Sequence, residues 1–247
     1  MDLKNKVAVV TGGAQGLGRA FVEVLLKQGS NVAFIDVNEP LGKELKATLA
    51  EEYGPGRVEF YAADVSSKEE FIAFKKIVDR FGHIDIMYNN AAVVNENDWE
   101  KTIAINMTGL VRGTYLALQY MKDNPDGKGA IINISSTAGL CYVPTAPIYT
   151  ATKYAVVGFS RAIAVAMKSN LGLRINTLCP GVMKTNLLSS SNIEDHFGQF
   201  SHPYTFQPED VAMASLPLVI DESKNGKILK IDADGMEFIS LPEIPAM

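Results

Sequence analysis

Seven short runs dense in valine, isoleucine and other apolar residues punctuate this chain, and longer stretches with helical spacing lie between them. The runs are KVAVVTG from residue 6, NVAFIDV from 31, RVEFYAADV from 57, IDIMYNN from 84, GAIINIS from 129, LRINTLC from 173 and KILKID from 227. Several are apolar almost throughout, as in strands of a sheet covered on both faces. Between them, VSSKEEFIAFKKIVDRFG carries a capping-box signature in Ser66 and Glu69 and ends at Gly82. NEPLGKELKATLAEEYG has Pro40 early and Gly54 beyond its end. Alternating strand and helix means βαβ units. The expected fold is therefore α/β, a doubly wound, seven-stranded parallel sheet with helices on both faces. No repeat, linker or charge block divides residues 1–247, so one domain is expected.

Composition narrows the function. A net charge of −5 argues against nucleic acid and anionic membrane surfaces as partners. No apolar run approaches the ~20 residues that span a bilayer, and the start, MDLKNKVAVVTGG, lacks the features of a signal peptide. Cys141 and Cys179 have no metal-ligand spacing, so no metal is expected and the cytoplasm is the expected location.

The first strand runs into TGGAQGLG, residues 11–18, and a helix pattern follows. Gly12, Gly16 and Gly18 let the chain turn sharply and let a phosphate approach the helix N-terminus. The second strand ends in Asp36, eighteen residues after Gly18. A carboxylate there accepts hydrogen bonds from a ribose diol and repels a 2′-phosphate. Gln15, Val37 and Asn38 are neutral, and Arg19 is the only nearby cation, which favours NAD over NADP in a Rossmann-like crevice.

PIYTATKYAV, from residue 147, places Tyr149 and Lys153 one turn apart on one helix face. A phenol ionises near pH 10, so proton transfer near neutral pH needs help of roughly 3 kcal/mol, which an adjacent lysine would supply. Asn106, a poor helix former in the middle of IAINMTGL, reads as a buried polar group with a role.

TGxxxGxG at the first turn, NNAA after the fourth strand, Ser136 thirteen residues before a Y-x-x-x-K, and PG after the sixth strand stand together. This set resembles the short-chain dehydrogenase/reductase family, in its single-domain branch, over essentially the whole chain. TGGAQGLGRAF, NENDWEKTIAINM, GTYLAL and YTATKYAVVGFSR look most like the NAD-dependent 15-hydroxyprostaglandin dehydrogenase group.

The resemblance implies that Tyr149 exchanges a proton with the substrate oxygen and that Lys153 lowers the tyrosine pKa and holds the nicotinamide ribose. It implies that Ser136 hydrogen-bonds the substrate oxygen and that Asn106 supports a water chain toward Lys153. It adds Leu17 and Val37 to the nucleotide set, places Ala63, Asp64 and Val65 at the adenine, and Asn90 and Ala91 near the ribose. Met183 and Thr185 would lie near the carboxamide, with Pro180 and Gly181 beneath the nicotinamide. Two positions depart from the pattern. Ala92 stands where the family usually has glycine, at a cost of roughly 1 kcal/mol if the backbone there has positive φ. Ala146 occupies the substrate-contact position three residues before Tyr149, where the prostaglandin group usually has glutamine.

In this family, residues of about 182–207 form a substrate lid. Met183, Leu187, Leu188, Phe197, Phe200, Tyr204 and Phe206 would supply its apolar surface, joined by Val93, Val94, Cys141, Tyr142 and Val143. His196 and His202 are read as lid or surface residues. The expected function is an NAD-dependent alcohol dehydrogenase for a hydrophobic, secondary hydroxyl, with lipid-derived substrates such as oxidised fatty acids, terpenoids or retinoids, and steroids. The alternatives are a carbonyl reductase running in the opposite direction and a dinucleotide-binding sensor with little turnover. Two small-residue stripes, Gly109, Gly113 and Ala117, and Ala151, Ala155, Gly158, Ala162 and Ala166, pack either on the protein's own sheet or between subunits. A homodimer or homotetramer is expected.

Overall fold

All seven apolar runs form strands in the computed structural model, which describes residues 1–67, 72–124, 127–167, 172–183 and 206–242. They are β1 (Val7–Thr11), β2 (Asn31–Asp36), β3 (Val58–Ala62), β4 (Ile86–Asn89), β5 (Gly129–Ile134), β6 (Leu173–Pro180) and β7 (Ile228–Asp232). The helices between them are α1 (Gly16–Lys27), α2 (Glu39–Tyr53), α3 (Ile72–Phe81), α4 (Trp99–Ile103), α5 (Leu110–Met121) and α6 (Pro147–Ala166). Among the described residues, two further helices, α7 (Pro208–Ser215) and α8 (Pro217–Ile220), precede β7. Glu69 of the expected capping box lies outside the described residues.

Side chains alternate across each strand, and the two faces carry two cores. Val10, Phe34, Tyr88, Ile132 and Ile231 point to one side, where Phe21 and Leu25 of α1, Leu45 and Leu49 of α2, and Val211 of α7 cover them. Val9, Ile35, Met87, Ile131 and Ile175 point to the other, under Phe74 and Ile77 of α3, Ala117 and Met121 of α5, and Ile163 of α6. Each such side chain contributes roughly 1.5–3 kcal/mol by leaving water. Burial on both faces is why these strands read as continuous apolar runs.

The sheet order is β3-β2-β1-β4-β5-β6-β7-β8. β1 to β7 pair in parallel, and an eighth strand, β8 (Gly235–Ile239), returns antiparallel to β7 across a tight turn. The seven-strand expectation omitted it because β8 covers the edge with only partial burial; Met236 and Phe238 are exposed. Strand order reverses between β1 and β4, and the crevice at their carboxyl ends is where such folds bind ligands.

The two stripes part company. A methyl group on Gly113 would fall 2.2 Å from Asn89 Oδ1, and one on Gly109 2.9 Å from Val65 Cγ2. That stripe therefore packs on the chain's own core. Ala151, Gly158, Ala162 and Ala166 face outward on α6, and nothing lies within 4 Å of where a Gly158 side chain would stand. Among the described residues, no helix is long and apolar enough to cross a membrane.

Candidate active site

The loop after β1 opens the site. Gly12 has φ +63°, and a side chain on Gly18 would fall 1.9 Å from the Gly12 carbonyl oxygen, so only glycine lets α1 start this close to the strand. Gln15 precedes α1 without a side-chain cap, and the first turn holds no acidic residue. Its amide groups thus meet the crevice as a ready anion site.

Asp36 ends β2 facing this loop. One carboxylate oxygen accepts from the Ala14 amide at 3.0 Å and the other from the Asn38 amide at 2.9 Å. Each oxygen keeps a second lone pair for a diol. Arg19, the nearby cation, is held by Glu23 at 2.8 Å on the exposed helix surface. Asn90 lines the crevice, but its amide group donates to the carbonyls of Thr11 and Gly12 at 2.9 and 3.2 Å and so ties β4 to the loop. Among the described residues, Asn5 is the non-glycine with positive φ, so Ala92 carries no such strain.

The second half of the site is built where β5 ends and α6 begins. Ser136 is extended and its hydroxyl oxygen accepts from the Ala138 amide at 3.1 Å, capping a single 3₁₀ turn. Tyr149 sits in the first turn of α6 with its phenol beside Ser136, and Lys153 stands one turn on. Lys153 Nζ donates to the Ile134 carbonyl at 3.1 Å, while Ser135 Oγ donates to the Lys153 carbonyl at 2.8 Å. Burial pushes the Tyr149 phenol up to about 12, opposed by the Ser136 hydrogen bond, and pulls the Lys153 ammonium down to about 8. In the chain by itself, desolvation penalises the charged form of each group.

Asn106 lies within a π-helical turn, Ala104–Gly109, between α4 and α5; such turns recur at functional sites. Its side chain clamps Val93, accepting from its amide and donating to its carbonyl, both at 2.8 Å, and also donates to Thr152 Oγ1 at 3.2 Å. Val93 and Thr152 thus take both donors of its side-chain amide, and its oxygen keeps a second lone pair. Ala146 is buried beside Tyr149. Its methyl group is 1% exposed, packed among Val94, Ala138, Val143 and Tyr149, and does not reach the cavity.

One cavity of about 400 Å³ joins the two halves. Gly12, Gln15, Gly16, Leu17, Gly18, Asp36, Val37, Ala63, Asp64, Val65, Asn90 and Ala91 line one end. Ser136, Tyr149, Lys153, Pro180, Gly181 and Met183 line the other. Val93, Val94 and Val143 add the expected apolar wall, whereas Cys141 and Tyr142 are exposed away from it. Phe206 packs instead against the core under α1. Thr185, His196, His202 and the other lid residues from Leu187 to Tyr204 lie outside the described residues. The sequence reading missed Ile35, Ile105, Ile134, Ser135, Thr137 and Ala138 as lining residues. Ile35, Ile105, Ser135 and Thr137 each adjoin a residue it named, but adjacency in sequence carries no signal of which side chains face a ligand.

Comparison with known proteins bears on this geometry. A family model described as "short chain dehydrogenase" matches residues 6–196. The chain is 42% identical to 15-hydroxyprostaglandin dehydrogenase [NAD(+)] of Rattus norvegicus, across 96% of this chain and 95% of that protein. It is 41% identical to the Homo sapiens protein of the same name, across 94% and 92%. It is 31% identical to 3beta-hydroxysteroid dehydrogenase 2 of Eggerthella lenta, across 93% and 94%.

Proposed function

The chain belongs to the short-chain dehydrogenase family and is an NAD-dependent dehydrogenase, and from that premise we propose that it oxidises an apolar secondary alcohol. The observation that carries the substrate reading is the cavity wall. Val93, Val94 and Val143 lie beside Ser136 and Tyr149, so an apolar group flanks the position of the reacting hydroxyl.

The fit to NAD rests on the uncapped start of α1 for the pyrophosphate, the Gly18 contact that admits it, and Asp36 for the adenosine ribose. NAD, when bound, supplies the hydride acceptor. The chain does the proton chemistry. Ser136 holds the substrate oxygen against the Tyr149 phenol. Tyr149 exchanges a proton with the substrate oxygen, and Lys153, with Nζ 5.4 Å from the centroid of its ring, favours the phenolate when charged. Positioned proton transfer of this kind is worth roughly 10²- to 10⁴-fold in rate. Asn106 acts on the far side of Tyr149 and Lys153 by fixing Val93 and Thr152.

Two copies of the chain associate through α5 and α6. Tyr115 is 57% exposed and Val165 73%, on helices that also turn Ala151 and Gly158 outward, which leaves apolar surface for a matching helix pair. Free thiols at Cys141 and Cys179 suit a reducing, cytoplasmic location.

Initial rates of nicotinamide reduction across a prostaglandin, a retinoid, a terpenol and a hydroxysteroid test the proposal. A marked rate with one class supports it; no rate above background with any of them, while NADH still binds, overturns it.

A further inference from the structure

Helix α6 carries Tyr149 in its first turn but begins without a cap of its own. The residue before it is Ala146, which has no side-chain acceptor, and Pro147 follows. The amides of the first turn of any helix lack partners within it, and at most N-termini a nearby serine, threonine, aspartate or asparagine accepts from them. Here the acceptor comes from another part of the chain. Glu96, in the loop between β4 and α4, receives the Ile148 amide on one carboxylate oxygen at 3.0 Å and the Tyr149 amide on the other at 2.9 Å.

We propose that Glu96 is the positioning residue of the active site, fixing the backbone of Tyr149 so that its phenol stays aligned with Ser136. This deepens the dehydrogenase reading and rests on it. Three features make the loop a firm mount. Asn106 clamps Val93 through two hydrogen bonds. Val94 packs against Tyr149 and Val143. The Asn95 carbonyl accepts from Thr102 Oγ1 at 2.7 Å while its side chain receives the amides of Asn97 and Asp98. Glu96 is thus presented by a loop held to the π turn on one side and to α4 on the other. A carboxylate at a helix N-terminus is also favoured by the helix dipole, so both charge and geometry suit the contact. The reach is 53 residues in sequence for Tyr149, between a polar loop and a helix start. The same carboxylate links the loop that carries Val94 of the apolar wall to the backbone of Tyr149.

Misplacing a reacting group by about 1 Å can cost 10²-fold in rate. Glu96→Ala is therefore expected to lower kcat roughly 10- to 100-fold with the KM for NAD unchanged. Glu96→Gln keeps one acceptor oxygen and should recover most of the rate. Hydrogen–deuterium exchange of the wild-type and variant chains, followed at Ile148 and Tyr149, reads the tether directly and needs no turnover. Faster exchange there in Glu96→Ala, with the rest of α6 unchanged, supports the proposal. Unchanged exchange at these amides, or an unchanged kcat in Glu96→Ala, overturns it. A kcat lost equally in Glu96→Ala and Glu96→Gln also overturns it, because charge rather than positioning would then be at work. A wild-type chain that oxidises no alcohol defeats the dehydrogenase reading instead, and the exchange comparison then still decides whether Glu96 holds Tyr149.

Discussion

Lys153 Nζ lies 5.4 Å from the centroid of the Tyr149 ring, and burial drives the two groups toward their neutral forms from opposite sides. A lysine with a native pKa of about 8 against an ordinary 10.5 destabilises the fold at neutral pH. Above pH 8 the unfolded chain holds that proton and the native chain does not, so stability rises with pH toward 10.5. Tyr149 acts higher, where the unfolded phenol ionises from pH 10 and the buried one waits until about 12, and there stability falls. Lys153→Met is predicted to raise stability at pH 7 by up to about 3 kcal/mol and to flatten the rise above pH 8. Urea midpoints at pH 7 and 9 check it; identical slopes in both chains would mean that Lys153 is not the titrating group.

Tyr149→Phe removes one oxygen and keeps the packing of a ring that is 6% exposed. NADH binding should persist while turnover falls at least about 100-fold. Fluorescence titration and initial rates measure the two separately. Undiminished turnover would assign the proton step to another group.

Asp36→Ala should raise the KM for NAD about 10-fold or more, equivalent to 1.4 kcal/mol, and narrow the preference over NADP. The loss has two sources, since the Ala14 and Asn38 amides lose their acceptor along with the ribose. An unaltered NAD to NADP ratio would remove Asp36 from cofactor selection.

Gly18→Ala drives a methyl group into the Gly12 carbonyl, a contact no rotamer relieves. The expected cost is about 3 kcal/mol, with loss of NADH binding. Thermal melts with and without NADH test it, and a wild-type response to NADH would show that the loop can open without harm.

On the outer face of α6, Val165→Glu places a charge in the proposed contact between copies. Light scattering should register a dimer for the wild-type chain and a monomer for the variant. A wild-type monomer at micromolar concentration would refute the association.

Tertiary structure gave some residues meanings that their neighbours in sequence do not carry. Gly113 and Gly158 sit in matching helical stripes, yet one meets Asn89 and the other meets no atom within 4 Å. Ala92 looked costly on pattern, and its φ is ordinary. Glu96, in a run of polar residues, has the appearance of solvated surface until α6 is brought against it.

The seven parallel strands, the glycine loop, Asp36 and the Tyr149–Lys153 pair were readable from the sequence alone. Each depends on short-range rules: side-chain alternation, backbone freedom at glycine, and the spacing of one helical turn. What the sequence could not determine were the effects that depend on distance through space and exclusion of water. The proton affinities of Tyr149 and Lys153, the burial of Ala146, the commitment of Asn106 to Val93 and the capping of α6 by Glu96 all arise only when remote segments pack and desolvate one another. Burial is a property of the whole fold, and no local spacing encodes it.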